Sequence, residues 1–179
     1  MKILPKKYFE SPNTPKLARD LLGKFLVRKY RGKVKAYLIT EVEAYDGFKD
    51  KASHAHRGKT ERNKVMFGQP GYWYVYLTYG MHWMLNIVTG PKDYPAAILI
   101  RGLEGIYGPA RITKALKIDK KFNGKLADKK SGLWIENRQP NPAFAGWPRI
   151  KKGPRIGVAY AGPIWSKKKL RFFIEKADL

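Results

Sequence analysis

Residues 71–88 read GYWYVYLTYGMHWMLNIV, two apolar and aromatic runs that meet at Gly80. The pattern predicts a β-hairpin, with a first strand over 71–77, a turn over 78–81 and a second strand over 83–88. Successive side chains of a strand alternate between faces, so Tyr74 and Tyr76 share one face while Trp73, Val75 and Leu77 share the other. Neither face is polar. Two readings stay open at this point: a doubly buried strand whose Tyr hydroxyls are satisfied by backbone, or a strand with one face exposed as a stacking platform for nucleic-acid bases. Base–aromatic stacking contributes about 1–3 kcal/mol per base. Tyr79 sits at the predicted tip.

The elements around this hairpin follow from local signals. Thr14 and Pro15 read as an N-cap and first helical residue, followed by an apolar face of Leu17, Ala18, Leu21 and Leu22 that stops at Gly23. Phe25–Lys29 and Val34–Glu43 read as a strand pair, Ala96–Leu103 as a further strand, and Gly108-Pro109 opens a helix over ARITKALKI. Residues 119–154 read as irregular apart from Leu133–Glu136, and Arg155–Tyr160 and Leu170–Glu175 as two last strands. The polar, basic stretch Asp46–Gln69 is a long loop of the kind that carries function. The order predicts an α+β fold: a single compact domain, residues 1–179, around a mostly antiparallel β-sheet.

Charge narrows the partner. Lys and Arg number 37 against 14 Asp and Glu, a formal net charge of +23. That excess suits a polyanion, either nucleic acid or an anionic membrane surface, or else a solvated basic surface. No run of about 18 apolar residues is present to span a bilayer and the N-terminus lacks an apolar signal segment, so a soluble, cytoplasmic protein is expected. Cysteine is absent, which excludes disulfides, thiolate catalysis and cysteine-ligated metal. The histidines are His54, His56 and His82. With no metal-ligand motif among them, no metal is expected.

Glu41, Glu43 and Tyr45 alternate in EVEAY and project from one face if that segment is a strand. Two carboxylates on an apolar strand either pair with lysines at a strand end or do chemistry, and spacing alone leaves both open.

The blocks ITEVEAYDG, ASHAHRG, ERNKVMFGQPGYWYVYLTYGMHWMLNIV, ILIRGLEG, GPARITKAL, RIGVAYAG and LRFFI, in that order, resemble the alkyladenine (3-methyladenine, methylpurine) DNA glycosylase family over nearly the whole chain. The resemblance implies a curved sheet with a protruding β-hairpin and flanking short helices. It implies base excision from double-stranded DNA containing alkylated or deaminated purines, by a monomer that uses no cofactor. Glu43 is then the general base that deprotonates a water for attack at the sugar C1′, and Arg101 helps to hold that water and a neighbouring phosphate. Tyr45, His54 and Tyr76 line a pocket that sandwiches the flipped base, favouring cationic purines by cation–π attraction. Asn86 rejects guanine's exocyclic amine. Tyr79 is the wedge that fills the vacated stack, with Met81 beside it. A protonated His54 that hydrogen-bonds base or backbone is a further expectation, and His56 is expected to be a polar loop residue. Affinity for phosphates is assigned to Lys and Arg and to the start of the helix after Gly108-Pro109. Departures from the family pattern are His82 and Trp83 after Y-G-M and the loop Gly90–Pro95, which put the lesion spectrum in question. The rival is a non-catalytic basic module that binds RNA or DNA through the aromatic hairpin. Glu43 separates the two, because a carboxylate in a polyanion site repels phosphate.

Overall fold

The computed structural model describes residues 1–138 and 149–175. Among these residues the chain forms one compact α+β domain, built on an antiparallel ten-stranded sheet with three short helices. The strands are β1 (Lys2–Ile3), β2 (Phe25–Tyr30), β3 (Lys33–Asp46), β4 (Trp73–Thr78), β5 (His82–Val88), β6 (Ala96–Leu103), β7 (Ile106–Tyr107), β8 (Leu133–Asn137), β9 (Ile150–Gly153) and β10 (Arg171–Ile174). The helices are α1 (Thr14–Leu21), α2 (Pro109–Leu116) and α3 (Gly162–Trp165). No helix among the described residues is long and apolar enough to cross a membrane.

The main path runs β1-β8-β2-β3-β6-β5-β4. β3 is its axis. Its first half pairs with β2, from Lys33 opposite Tyr30 to Leu38 opposite Phe25. Its second half pairs with β6 on one edge and with β10 on the other. The register with β6 shifts around Glu41, where a bulge adds a residue. Gly102 lies opposite, and a Cβ there would come within 2.8 Å of the Glu41 Cβ. Only a residue without a side chain lets the bulge close against β6.

The base of the hairpin is buried on both faces, and its outer half is partly exposed. Trp73 and Val75 join Leu85, Ile87, Ile98, Ile100 and Leu103 in the main core, which α1 and α2 close with Leu17, Leu21, Ile112 and Leu116. Burying each of these large side chains contributes about 1.5–3 kcal/mol. Trp73 donates its indole N–H to the Leu133 carbonyl at 3.0 Å. Tyr74 turns to a second, smaller cluster with Ala55, Met66, Phe67, Val88 and Ala97, against which Tyr76 packs. That cluster is the floor of the site described below.

Three local expectations are corrected. The cap of α1 is Asn13, whose side chain accepts from the Lys16 N–H at 2.9 Å. Thr14 is buried, with its hydroxyl 3.2 Å from that of Thr89, so it serves packing and the stronger acceptor serves the cap. Arg155–Tyr160 is not a strand. Gly157 has φ 75, the chain turns there, and a 3₁₀ turn over Ala159–Ala161 leads into α3. The strand of this region is β9 instead, in a stretch expected to be irregular, and it pairs with β10. Its exposed Lys151 and Lys152 suit an edge strand, where charge discourages pairing with other chains. The part of the irregular expectation that covers 139–148 lies outside the described residues.

Candidate active site

Glu41 and Glu43, two residues apart in β3, both meet one guanidinium. Arg101 Nε, from β6, lies 3.2 Å from Glu41 Oε1 and 3.5 Å from Glu43 Oε1, and Arg171, from β10, adds a 3.0 Å contact to Glu41. The carboxylate partners are therefore arginines from two neighbouring strands, not lysines at a strand end. Glu43 is fully buried. Its Oε1 accepts the Ile156 backbone N–H at 2.8 Å and its Oε2 accepts the Tyr45 hydroxyl at 2.9 Å. Burial raises the Glu43 carboxyl above the usual carboxylate range, against the pull of Arg101, the Ile156 N–H and the Tyr45 hydroxyl, and Glu41 adds to the rise. Burial, reinforced by Glu43, holds the Tyr45 phenol well above its ordinary value, so Tyr45 remains a donor to the carboxylate.

Tyr45, which donates to this carboxylate, is one wall of a narrow cleft also lined by His54, Tyr74, Tyr76, Asn86 and Tyr160, with an empty volume near 310 Å³ that includes its solvent-filled mouth. His54 meets Tyr76 edge to face at 4.5 Å, and Tyr74 lies 5.2 Å from Tyr76, so the three rings form one continuous aromatic wall. The resemblance had put Tyr45, His54, Tyr76 and Asn86 at a base pocket, and the fold does bring these four together. Asn86 is buried and donates its amide to the Tyr74 carbonyl at 3.1 Å. Its side chain is thereby fixed, which suits a steric role better than an adaptable donor.

His54 is exposed as a residue, with its ring packed against Tyr76. Its Nδ1 lies 3.1 Å from the Tyr74 hydroxyl, and burial, with nearby Arg62, lowers its pKa. Both act against the charged form of the ring. His56 is an exposed loop residue, 3.1 Å from the Phe48 carbonyl.

The hairpin tip stands apart from the pocket wall. Met81 N–H donates to the Thr78 carbonyl at 3.1 Å, with Tyr79 at φ 51 and Gly80 at φ 68. Both central residues with positive φ make this a turn of the type I′ class, which asks for Asn-Gly. A tyrosine in the left-handed region is strained. It is also 85% exposed, and Met81 is 68% exposed.

Sequence reasoning missed several residues that build the site. Asp50 and Arg155 form a fully buried bidentate pair. Asp50 also accepts the Asp46 and Ala52 N–H groups, while Arg155 donates to the Ala44 carbonyl at 2.9 Å and stacks 4.7 Å from the Tyr45 ring. This pair joins β3, the loop after it and the segment that presents the Ile156 N–H to Glu43. Arg62 lies over the Tyr76 ring at 5.3 Å and caps the Leu77 carbonyl at 2.8 Å. Buried Asn63 donates to the His54 and Gly58 carbonyls and accepts from Thr60 N–H, holding the long loop in shape. Tyr160 completes the lining of the cleft. None of these carries a local signal, because each acts through a partner distant in sequence.

The sequence profile of the methylpurine-DNA glycosylase (MPG) family matches residues 7–107 and 105–178. The chain belongs to the methylpurine-DNA glycosylase family. Among its relatives, a protein of Methanocella arvoryzae named "Putative 3-methyladenine DNA glycosylase" is 42% identical, with 90% of this chain and 88% of the relative aligned. Proteins of the same name from Anaeromyxobacter dehalogenans and Legionella pneumophila (strain Corby) are 41% and 40% identical. They cover 94% and 98% of this chain, and the alignments span 82% and 96% of the relatives. As a methylpurine-DNA glycosylase the chain is a DNA repair enzyme of base excision, with DNA as its substrate. The basic excess of the sequence now has its polyanion.

Proposed function

We propose that this methylpurine-DNA glycosylase is a monofunctional enzyme that acts as a monomer without a cofactor and excises alkylated purines, 3-methyladenine and 7-methylguanine among them, from duplex DNA. Glu43 takes a proton from a water whose oxygen bonds to C1′ of the sugar. The C1′–N bond breaks, the electron pair leaves with the purine and an abasic site remains. Alkylation at N3 or N7 has already made the base cationic, so a departing neutral base needs little further activation. The observation that carries this reading is the buried Glu43 carboxylate beside an aromatic cleft, raised in pKa by burial yet held by Arg101, Tyr45 and a backbone N–H. A more basic carboxylate is a better proton acceptor near neutral pH, and its charge can also stabilise positive charge developing on the sugar.

In this scheme Arg101 orients the carboxylate and approaches the phosphate beside the flipped nucleotide. Tyr45, His54 and Tyr76 stack on the base, and a cation over such rings gains about 0.5–2 kcal/mol. Neutral lesions such as hypoxanthine or ethenoadenine gain less from the rings and depend on contacts at the base edge, where Asn86 disfavours the amine of ordinary guanine; in 7-methylguanine the positive charge of the base offsets that penalty. Tyr79 enters the minor groove and Met81 rests on the adjacent bases. The test is single-turnover release of methylated bases from duplex DNA with EDTA present. Release by the wild type, none by Glu43→Gln, and equal DNA binding by both are expected. Undiminished release by Glu43→Gln would remove Glu43 from the role of base.

A further inference from the structure

The C-terminal segment after β9 contributes an aromatic ring to the cleft that the reaction as described does not use. Tyr160 lines the same cleft as Tyr45, His54, Tyr76 and Asn86, yet 69% of the residue is exposed. It is nonetheless held firmly in place. Its hydroxyl donates to the Ala52 carbonyl at 2.8 Å, and its neighbours Val158 and Ala161 are buried with Ala52 in a small cluster against which Tyr45 packs. The ring is therefore anchored at both its polar end and its backbone while it stays open at the cleft mouth. Ile156, four residues earlier, is also exposed, at 51%, although its backbone N–H is committed to Glu43. Of the two, Tyr160 lines the cleft, and among the described residues it keeps most of its surface open.

We propose that Tyr160 is a substrate-binding residue, an outer aromatic wall that holds the flipped purine nucleotide in the cleft and supplies part of the preference for damaged over undamaged duplex. The proposal rests on the glycosylase reading above. A flipped nucleotide must be retained by contacts that an intrahelical one does not make, and a ring already fixed at the mouth supplies them without ordering cost. The electrostatic surroundings agree with this position. Burial of the hydroxyl end raises the Tyr160 phenol, Arg155 opposes that rise, and Asp50, Glu43 and Tyr79 reinforce it, so Tyr160 stands within electrostatic reach of both the proposed base and the proposed wedge.

The experiment compares Glu43→Gln with Glu43→Gln/Tyr160→Ala and Glu43→Gln/Tyr160→Phe, so that substrate survives. The affinity of each is measured for a duplex bearing one 7-methylguanine and for the same duplex unmodified. Tyr160→Ala is expected to lower the damaged-to-undamaged affinity ratio about tenfold, within the range of one base–aromatic contact, and to leave undamaged affinity unchanged. Tyr160→Phe keeps the ring and most of the ratio. An unchanged ratio in the Ala variant would overturn the proposal, as would an equal loss of both affinities, which marks a general surface contact. Base release by the protein with native Glu43 is measured in parallel. No release there would refute the glycosylase reading itself, an outcome distinct from an unchanged affinity ratio in an enzyme that does release bases.

Discussion

Tyr45→Phe separates the role of the Tyr45 hydroxyl from that of its ring. The hydroxyl donates to Glu43 Oε2 at 2.9 Å, and Glu43 is 0% exposed, so no solvent replaces the lost donor. A hydrogen bond to a charged group contributes about 1.5–3 kcal/mol, equivalent to about 10- to 150-fold in the balance between ionised and protonated carboxyl. The sign follows from the chemistry. The base works only when ionised, burial has already raised its pKa, and loss of a donor to the carboxylate raises it further. Activity falls as pH drops through that pKa, so the acidic limb of the variant moves to higher pH. On that limb the rate should be lower than wild type by about 10- to 150-fold, with the difference closing on the plateau. The ring remains available to stack on the base and on Arg155. Arg101, Arg155, Arg171, Glu41, Tyr76 and Tyr160, the other charged or titratable groups around Glu43, are unchanged. Single-turnover base release measured against pH, with DNA affinity as control, reads the effect. Superimposable profiles would refute the argument that this hydroxyl keeps Glu43 ionised, and a parallel drop at every pH would assign Tyr45 to base binding alone.

Two further predictions concern stability. Asp50→Asn or Arg155→Met leaves one charge of a fully buried pair without its partner, which costs about 3–5 kcal/mol; an unfolding free energy from urea titration within about 1 kcal/mol of wild type would contradict the buried-pair account. Tyr79→Asn puts a residue suited to positive φ at the turn, so the thermal midpoint should rise by a few degrees, about 2–4 °C per kcal/mol in a domain of this size. The preference for damaged duplex should fall at the same time. A variant that gained stability and kept its full preference would show that Tyr79 is only a turn residue.

Sequence by itself determined those parts of the protein that depend on short-range pattern. The hairpin, α1, α2 and β6 were legible because hydrophobic period and proline at the first helical turn act within a few residues, although the cap of α1 was one residue earlier than expected, and the opposite faces of β4 separated as alternation requires. Motif blocks placed Glu43, Tyr45, His54, Tyr76, Asn86 and Tyr79 in one family context. Tertiary structure alone decided how these side chains are tuned. The Arg155–Tyr160 stretch has the alternation of a strand, but Arg155 reaches a carboxylate 105 residues away, and the backbone bends to deliver one N–H to Glu43. Packing and the Arg62 charge meet the His54 ring only once the loop has folded, and both act against its charged form. Alternation and capping are properties of neighbours in the chain, whereas desolvation and ion pairing depend on which distant groups share a low-dielectric space.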